Sequence, residues 1–561
     1  MKSKYLVKSI IVIFVLLAII LLSNIFISNL VENKITALLL KNNSDYYTTT
    51  VKNVRFNILD RSITVNDLIL NPTDLSISIL KQSDSIAKDL QKISLSSIEL
   101  NGIHLYNTIV KKEVEVNELE LNDLLIQKLK NSKSKKISQK KKSISLDSIF
   151  IEEINGFKIN KIELNDISYL IIDIQTNDTI FQHKPINLAL DGFKLKNIGE
   201  NYFKIEHIRD HFEINDIKVL IAKNKYILDI GAINFDFDKE IISFDEIRYK
   251  PMMDMIALAN TFKYNDATLD IELEKLKIFN FDFRRAIKDK CIFIDSILIK
   301  GMALQIFKDK SKPWNENKIK KLPHLAIKQL EFPLLVKKIK IENSLLKLEE
   351  KFDKKDLLLK LSIDDINAQI THITSIEEYW EDPMKIDFKS KLMNKAPLYA
   401  NMTFPLNDNQ SIFYFNGTLG TTKFKYFDSA IFPVLGLKIL KGNLQDLKFN
   451  ASADNISSKG TMTMIYNDLE AEIFKSNSTE QNKILSWTVN QVVHNSNPNK
   501  HKNSKIRVAE MHYNRINYEG FGSYLWRTLQ SGITNTIAPG GKTIGKVQAK
   551  KNKKARKIKK K

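Results

Sequence analysis

The sequence predicts a mostly β protein, an elongated and curved antiparallel sheet that follows one amino-terminal transmembrane helix and carries a few short helices. Three observations predict this fold class. Apolar and polar residues alternate with period two over most of the chain, which is typical of half-buried strands. An eight-residue strand pattern recurs along the chain, and one long uncharged apolar segment lies near its amino terminus. Gly (17 residues) and Pro (12 residues) are too scarce for collagen or a Pro/Gly-rich stalk.

The apolar segment is residues 9–31, which are 23 residues without a charge. As a helix it would be about 34 Å long, enough to cross a hydrocarbon core of about 30 Å. It is longer than the apolar core of a cleaved signal peptide, and residues 28–30 make a poor cleavage site. Lys2, Lys4 and Lys8 precede it, so the positive-inside rule places residues 1–8 in the cytoplasm. We therefore expect an uncleaved, single-pass signal-anchor with the bulk of the chain across the membrane.

The recurring strand pattern reads apolar-x-apolar-x-x-apolar-x-apolar. Its copies are Ile63–Leu70, Ile93–Leu100, Val114–Leu121, Ile144–Ile151, Phe157–Leu164, Phe212–Val219 and Ile292–Ile299. One extra polar residue would turn the second apolar half to the other face of the sheet. A β-bulge or tight bend at the x-x pair would keep both halves on one face and would curl the sheet. The pattern thus predicts a curved sheet with an apolar concave face, and a β-sandwich that closes this face stays as the alternative.

The pattern and the composition divide the chain into regions. A β-repeat region (32–310) contains a basic loop (128–142), and a second β region covers residues 311–475. A polar linker with a short amphipathic helix (476–541) precedes a basic, disordered tail (542–561). The helix carries Phe521, Tyr524, Leu525, Leu529 and Ile533 on or near one face, and we expect it to cover an open end of the sheet rather than contact a membrane.

The net charge of +21 comes from 86 Lys+Arg and 65 Asp+Glu, and it is concentrated in two segments. Residues 128–142 hold eight Lys and residues 542–561 hold eleven Lys+Arg, neither with an acid, so the other residues sum to only +2. The predicted topology turns these segments away from the cytoplasm, which argues against nucleic acid as a partner. A Lys-rich tail there suits an anionic membrane surface, and a solvated tail without a specific partner stays as the alternative.

Other sequence motifs do not support a catalytic, metal-binding or phosphate-binding site. His207 and His211 lie beside a strand pattern, and on a strand they would be about 13 Å apart, too far for one metal ion. The segment 540–543 resembles the end of a phosphate-binding loop but lacks its first glycine, because residue 536 is Thr. His494, His501 and His512 form no ligand set, and the single cysteine, Cys291, cannot form an internal disulfide. We therefore expect no enzyme activity, no metal and no cofactor.

Within the second β region, one motif resembles the carboxy-terminal region of AsmA-like proteins of Gram-negative bacteria. The motif residues are Gly442, Leu447, Phe449, Gly460, Met462, Tyr466 and Leu469. The single anchor and the strand repeats are similar to that family over residues 1–475. The resemblance implies a protein of the bacterial inner membrane, with a repeating β-groove in the periplasm and no catalytic residues.

These features together predict a lipid-handling protein. Acyl chains would lie on the apolar face, where each buried methylene contributes about 0.8 kcal/mol, and would slide between chemically similar positions. The candidate groove residues are Ile63, Val65, Leu68, Leu70, Ile93, Leu95, Ile98, Leu100, Val114, Val116, Leu119, Leu121, Ile292, Ile294, Ile297 and Ile299. The alternative is a non-enzymatic structural or assembly factor for envelope proteins, built as a closed sandwich.

Overall fold

The computed structural model describes residues 28–37, 40, 46–82, 90–131, 156–183, 185–197, 203–207, 211–222, 225–236, 239–282, 285–286, 289–352, 358–435, 437–473, 494–500 and 504–538. The described residues are mostly β, as predicted, with few and short helices. Within these ranges no helix is both long and apolar enough to cross a membrane. The predicted anchor lies outside them except for its last four residues, which begin a helical stretch over 28–37. The chain divides into two compact units, residues 1–239 and 240–561.

Beyond the helical stretch over 28–37, the first unit contains twelve strands and two short helices among its described residues. They are β1 (Tyr47–Thr50), β2 (Asn53–Asn57), β3 (Ser62–Pro72), α1 (Asp74–Gln82), β4 (Leu90–Asn101), α2 (Leu105–Ile109), β5 (Glu113–Asn122), β6 (Leu125–Lys130), β7 (Gly156–Asp173), β8 (Thr179–His183), β9 (Ile186–Asn197), β10 (Phe203–His207), β11 (His211–Ile221) and β12 (Tyr226–Asp236). Both β1 and β2 pair with β3, which pairs with β4. Both β5 and β6 lie between β4 and β7. Beyond β7 the pairs are β7–β8, β7–β9, β9–β10, β8–β11 and β11–β12.

The second unit continues with longer strands. Its elements are β13 (Ile241–Pro251), α3 (Met255–Asn260), β14 (Ala267–Phe281), β15 (Ile292–Asp309), α4 (Pro323–Lys328), β16 (Leu334–Lys351), β17 (Leu358–Thr374), β18 (Met384–Leu392), β19 (Ala396–Phe404), β20 (Phe413–Leu419), β21 (Thr422–Lys423), α5 (Asp428–Leu435), β22 (Leu437–Ala453), β23 (Ser457–Ile473), β24 (Val508–Asn514) and α6 (Phe521–Ile537). Strands β13 to β20 pair in chain order, β20 and β21 pair with β22, and β22 to β24 again pair in order.

The predicted antiparallel sheet is found only in part, because most strand pairs are antiparallel but both units also contain parallel pairs. Strands β5 and β6 run parallel to β7, and β15 runs parallel to β16. A parallel pair needs a long crossover in place of a hairpin turn. The chain provides such connections, 131–155 before β7 and 310–333, which includes α4, before β16. Alternation within each strand is the same for both directions, so the sequence pattern does not distinguish them.

The x-x pair of the strand pattern is the place where strands depart from regular β geometry. Asp67 of β3 and Asp216 of β11 have φ of 51° and 56°, in the left-handed region. Asp67 lies between Asn66 and Leu68, which pair with Ser97 and Leu95, so it faces Ser96 in the x-x pair of β4. The register is continuous across this position, because both strands carry the extra residue. The bend is therefore one left-handed residue facing an extended one, so of the two forms predicted, a β-bulge or a tight bend, the tight bend is found between β3 and β4.

The same arrangement recurs in the second unit. Gly301 of β15 has φ of 67° and faces Glu274 of β14, since their neighbours on both sides are paired. Asn280 of β14 has φ of 52° and faces Asp295 of β15, whose carboxylate accepts a hydrogen bond from its side chain at 2.8 Å. Gly, Asn and Asp tolerate this conformation best, the latter two through their short polar side chains. The left-handed residue thus lies either in an x-x pair, as Asp67 does, or opposite one on the neighbouring strand, as Gly301 and Asn280 do.

The best-buried core of the second unit lies at its carboxy-terminal strands. Phe413 is fully buried, and Met462, Met464, Tyr466 and Met511 are each 1% exposed. Helix α6 packs on β23 and β24, with Tyr524 in this core and its other predicted apolar residues packed against it. The predicted covering helix is therefore present, and it lies on the last strands of the sheet.

Candidate functional site

The candidate groove residues of β3, β4 and β5 lie opposite one another across the strands. Between β3 and β4 the pairs are Ile63–Leu100, Val65–Ile98, Leu68–Leu95 and Leu70–Ile93. Between β4 and β5, Ile98 faces Leu121 and Leu100 faces Leu119. Directly opposed residues point to the same face of a sheet. These ten predicted residues therefore form rows of apolar side chains on one face.

The rows extend onto β7, which runs parallel to β5. Val116, Leu119 and Leu121 face Ile159, Ile162 and Leu164, and Val114 faces Phe157. Val65, Leu95 and Val116 are buried, and the other groove candidates of this unit are half-buried. A side chain at the centre of a sealed interface would be almost fully buried. Most of this face therefore retains contact with solvent.

The opposite face of the same strands is polar. Lys158 forms ion pairs across the parallel strands with Glu115 at 2.6 Å, and Lys161 does so with Glu118 at 3.1 Å. The hydrogen bond from Lys158 holds the pKa of Glu115 below its usual value. Exposed pairs of this kind contribute about 0–1 kcal/mol each. These ion pairs identify the face that is turned to solvent. The sheet of this unit is therefore amphipathic, with one apolar and one polar face.

In the second unit, the four candidates of β15 lie in the same kind of rows. Ile297 and Ile299 face Ile278 and Leu276 on one side, and Ile339 and Ile341 on the other. Ile294 faces Phe281 and Val336, and Ile292 faces Leu334. One row crosses seven strands through Ile278, Ile297, Ile339, Ile370, Ile386, Met402 and Phe415. Its members are half-buried from β14 to β19, and Phe415 on β20 is 2% exposed. The face is thus more open at its first strands than at its last.

The row members outside β15 were not predicted from the sequence. A signal was present for Ile278, because Ile271–Ile278 in β14 matches the same strand pattern. Leu361–Ala368 in β17 matches it too, but the row member Ile370 lies two residues beyond this copy. Other members, such as Ile386 and Met402, lie in strands that alternate without the x-x pair. Those strands carry no left-handed residue within their bounds, so nothing in the eight-residue pattern identifies them.

The residues of the family-like motif all lie on one antiparallel hairpin, β22–β23. Phe449 faces Met462, Leu447 faces Met464, and Gly460 faces Ala451. Leu447, Phe449, Met462, Tyr466 and Leu469 are buried, and Gly442 lies against Leu469. The Tyr466 hydroxyl donates to the carbonyl of His494 at 2.7 Å, and burial raises the pKa of Tyr466. The motif therefore forms a packed hairpin core and presents no reactive group to solvent.

The remaining predicted features lie partly outside the described residues. The basic loop is described only over 128–131, of which 128–130 belong to β6, and the tail 542–561 is not described. Among the residues that the structure does describe, no group of three His, Cys, Asp or Glu is placed to hold a metal ion. The candidate site that the strand pairing supports is the apolar face of each unit. In comparisons with known proteins, no family model matches the chain, and no curated protein matches it significantly.

Proposed function

We propose that this protein binds phospholipid along the apolar face of its sheet and conducts it passively from the inner membrane towards the outer membrane, supporting envelope biogenesis. The observation that carries the proposal is the set of continuous cross-strand rows of half-buried apolar side chains, backed by a polar face. Acyl chains cover such a surface favourably at about 25 cal/mol per Å² of apolar area. The predicted anchor, residues 9–31, would hold the chain in the inner membrane with its bulk in the periplasm.

The mechanism needs no reacting group. Neighbouring row positions carry Ile, Leu and Val, so an acyl chain that moves along the face exchanges one aliphatic contact for another of similar free energy. Headgroups would stay in water at the open side. Direction would then come from lipid supply and removal at the ends, because a passive surface cannot bias transport by itself.

A photo-crosslinking experiment tests this proposal in cells. A benzophenone amino acid replaces Ile98 on the apolar face or, as the matched control, Glu99, its neighbour on the opposite face of β4. We expect phospholipid adducts by mass spectrometry at position 98 and few at position 99. Equal lipid labelling at both positions, or none at position 98, would contradict a lipid-carrying face.

The second candidate is a structural or assembly factor for envelope proteins. It is favoured by the sealed core at β20 to β24, where Phe413, Met462 and Met511 are almost fully buried. The same cross-linking experiment separates the two functions. Protein adducts at position 98 in place of lipid would support the assembly factor.

A further inference from the structure

A cavity of about 630 Å³ lies on the polar face of the last strands of the second unit. Ligand-binding cavities usually have volumes of about 300–1,000 Å³ and are lined mainly by apolar side chains. Here seven of the ten lining residues are polar, and they come from β20, β22, β23 and β24. A lining of this kind suits a ligand that carries polar groups over most of its surface.

The strand pairing brings the seven polar side chains together in two adjacent rows across these strands. The rows are Tyr414–Ser452–Lys459–His512 and Asn450–Thr461–Glu510. Directly opposed residues, and residues two apart on one strand, point to the same face. Helix α6 packs on the opposite face, where Met511 and Met462 lie against Gly532. Ser452 is half-buried and the other six polar residues are exposed, so the cavity is open to solvent.

The polar side chains of this cavity do not hold the fold together. Within the part of the chain that the structure describes, none of the seven side chains forms a hydrogen bond or an ion pair with another protein group. Lysines elsewhere on β22 do form ion pairs, Lys441 with Glu470 at 2.8 Å and Lys448 with Asp446 at 3.0 Å. The donors and acceptors that line the cavity are therefore available to a ligand.

The chemistry of this lining favours a neutral saccharide. Hydroxyl and amide side chains both donate and accept hydrogen bonds, whereas Lys459 only donates and an ionised Glu510 only accepts. A sugar hydroxyl can bond to all of these groups, because it donates and accepts as well. An ion of either sign would instead meet one like charge, from Lys459 or from Glu510. The ring of Tyr414, which is 49% exposed, offers an aromatic surface to the C–H face of a sugar ring.

We propose that this cavity is a binding site for a glycan. From β20 to β24 it crosses three strand spacings, about 14 Å, which gives room for more than one sugar ring. Phe415, the neighbour of Tyr414 on β20, belongs to the apolar row on the opposite face. A lipid lying on that row would not bring its headgroup to the cavity, so the ligand is a free or polymeric glycan. The site does not rest on the proposed lipid carriage.

The experiment uses the full-length protein in a polyoxyethylene detergent, whose headgroup contains no sugar. Binding of two neutral trisaccharides, maltotriose and chitotriose, and of the linear polyol sorbitol is titrated by saturation-transfer NMR. We expect at least one trisaccharide to bind about tenfold more tightly than sorbitol, since sorbitol has hydroxyls but no ring to lie on the aromatic side chain.

Three variants of the lining and one control locate the binding. Tyr414→Ala should weaken trisaccharide binding about tenfold, and Asn450→Ala about fivefold through the loss of hydrogen bonds. Tyr414→Phe keeps the ring and should stay within about threefold of the parent protein. Tyr399→Ala is the matched control and should bind as the parent does. Tyr399 of β19 is also 49% exposed and lies on the same polar face, but it does not line the cavity.

The outcomes are separable. Absence of trisaccharide binding by the parent, sorbitol binding as tight as that of the trisaccharides, or unchanged binding by Tyr414→Ala overturns the site. Equal losses in Tyr414→Ala and Tyr399→Ala also overturn it. Retained binding by Tyr414→Phe excludes misfolding as the cause of a loss in Tyr414→Ala.

The source of the sugar is tested by competition with free maltose and with dodecyl maltoside, which carries the same sugar on an alkyl chain. Equal competition by the two supports a free or polymeric glycan. Stronger competition by dodecyl maltoside would overturn that assignment in favour of the sugar headgroup of a lipid.

Discussion

Gly532 of α6 lies against Met511 of β24 so closely that a Cβ on the glycine would be 2.6 Å from Met511 Cγ. It would also be 3.1 Å from Met462 Cβ on β23. A neighbouring contact joins the same elements, the hydrogen bond between Thr528 and Ser458 hydroxyls at 2.6 Å. The absence of a side chain at position 532 therefore sets how near the helix packs on the last strands.

The first prediction follows from this contact. Replacing Gly532 by Leu should lift α6 from β24 and lower the free energy of unfolding by about 1–3 kcal/mol, the usual cost of overpacking. The measurements are thermal unfolding and amide exchange. Exchange at His512 should accelerate, because its amide donates to Ser531 Oγ of α6. Gly522→Ala is the control, since nothing lies within 4 Å of a Cβ there; equal stability of both variants would contradict close packing at position 532.

The second prediction concerns the left-handed residues. Gly301→Ala should lower the free energy of unfolding by about 2 kcal/mol or more, because left-handed backbone costs a residue with a Cβ about 1–2 kcal/mol. The new Cβ would in addition lie 2.8 Å from Glu274 Cβ. Asp216→Gly, at an exposed left-handed position, should change stability by less than about 0.5 kcal/mol. Urea unfolding of each variant checks the difference, and a tolerated Gly301→Ala would show that this bend relaxes easily.

The third prediction is a loss of stability in acid that depends on one histidine. His324 is 1% exposed, with its ring 5.2 Å from that of Phe404. Burial, aided by the positive charge of Lys328 and opposed by Asp408, lowers the pKa of His324 to about 4. The unfolded chain has the ordinary pKa of about 6.5 and binds the proton first. Stability is therefore complete above pH ~6.5 and falls by up to about 3 kcal/mol as the pH drops towards 4.

The variant His324→Phe should remove most of this pH dependence. Melting temperatures measured from pH 7 to pH 4 would show a flatter profile than that of the parent protein. His512→Gln, at an exposed position, serves as the control and should keep the parent profile. A His324→Phe profile as steep as that of the parent would assign the acid sensitivity to other groups.

The fourth prediction distinguishes an open apolar face from a closed sandwich. On an open face the carboxylate of Ile98→Asp stays hydrated, so the protein should melt cooperatively near the parent temperature and lose its lipid. Against a facing sheet the same carboxylate would be desolvated, at a cost of several kcal/mol that is comparable with domain stability. Ser94→Asp, on the opposite face of β4, is the control. A stable Ile98→Asp protein with its normal lipid load would rule out the groove, and an unfolded one would favour the closed sandwich.

The fifth prediction concerns the Lys-rich tail. Deletion of residues 542–561 removes eleven positive charges and should weaken binding to anionic vesicles at low salt. Folding should be unaffected, because the charges are not needed for the packed strands. Vesicle co-sedimentation at low and high salt measures the effect. Equal binding of the full and truncated chains would mean that the tail is solvated without a lipid partner.

Sequence reasoning was most successful where the information is local. The apolar positions of Ile93–Leu100 pair with those of Ile63–Leu70, because period-two alternation determines which side chains share a face. The positions of some bends, such as those at Asp67 and Asp216, were also visible in the x-x pairs. Their form was not, since an offset bulge and a left-handed residue satisfy the same spacing.

The covering helix α6 also shows that sequence patterns predict local structure better than contacts between elements. Its apolar residues were readable at helical spacing, and the structure places Tyr524 in the core and Leu529 against it. That Gly532 sets the distance to Met511 depends on two residues from different elements. Such contacts depend on shape at the interface, which a single segment does not carry.

By itself, the sequence determined the β class, the faces of the strands and the places where they bend. These follow from side-chain polarity and from the backbone preferences of Gly, Asn and Asp, which act over a few neighbouring residues. Only the tertiary structure decided that β5 and β6 run parallel to β7, that β15 runs parallel to β16, and that Gly532 of α6 lies against Met511 of β24. Backbone hydrogen bonds are chemically alike in every strand, so pairing is decided by the packing of distant segments, and residues far apart in the chain come together only when that packing is complete.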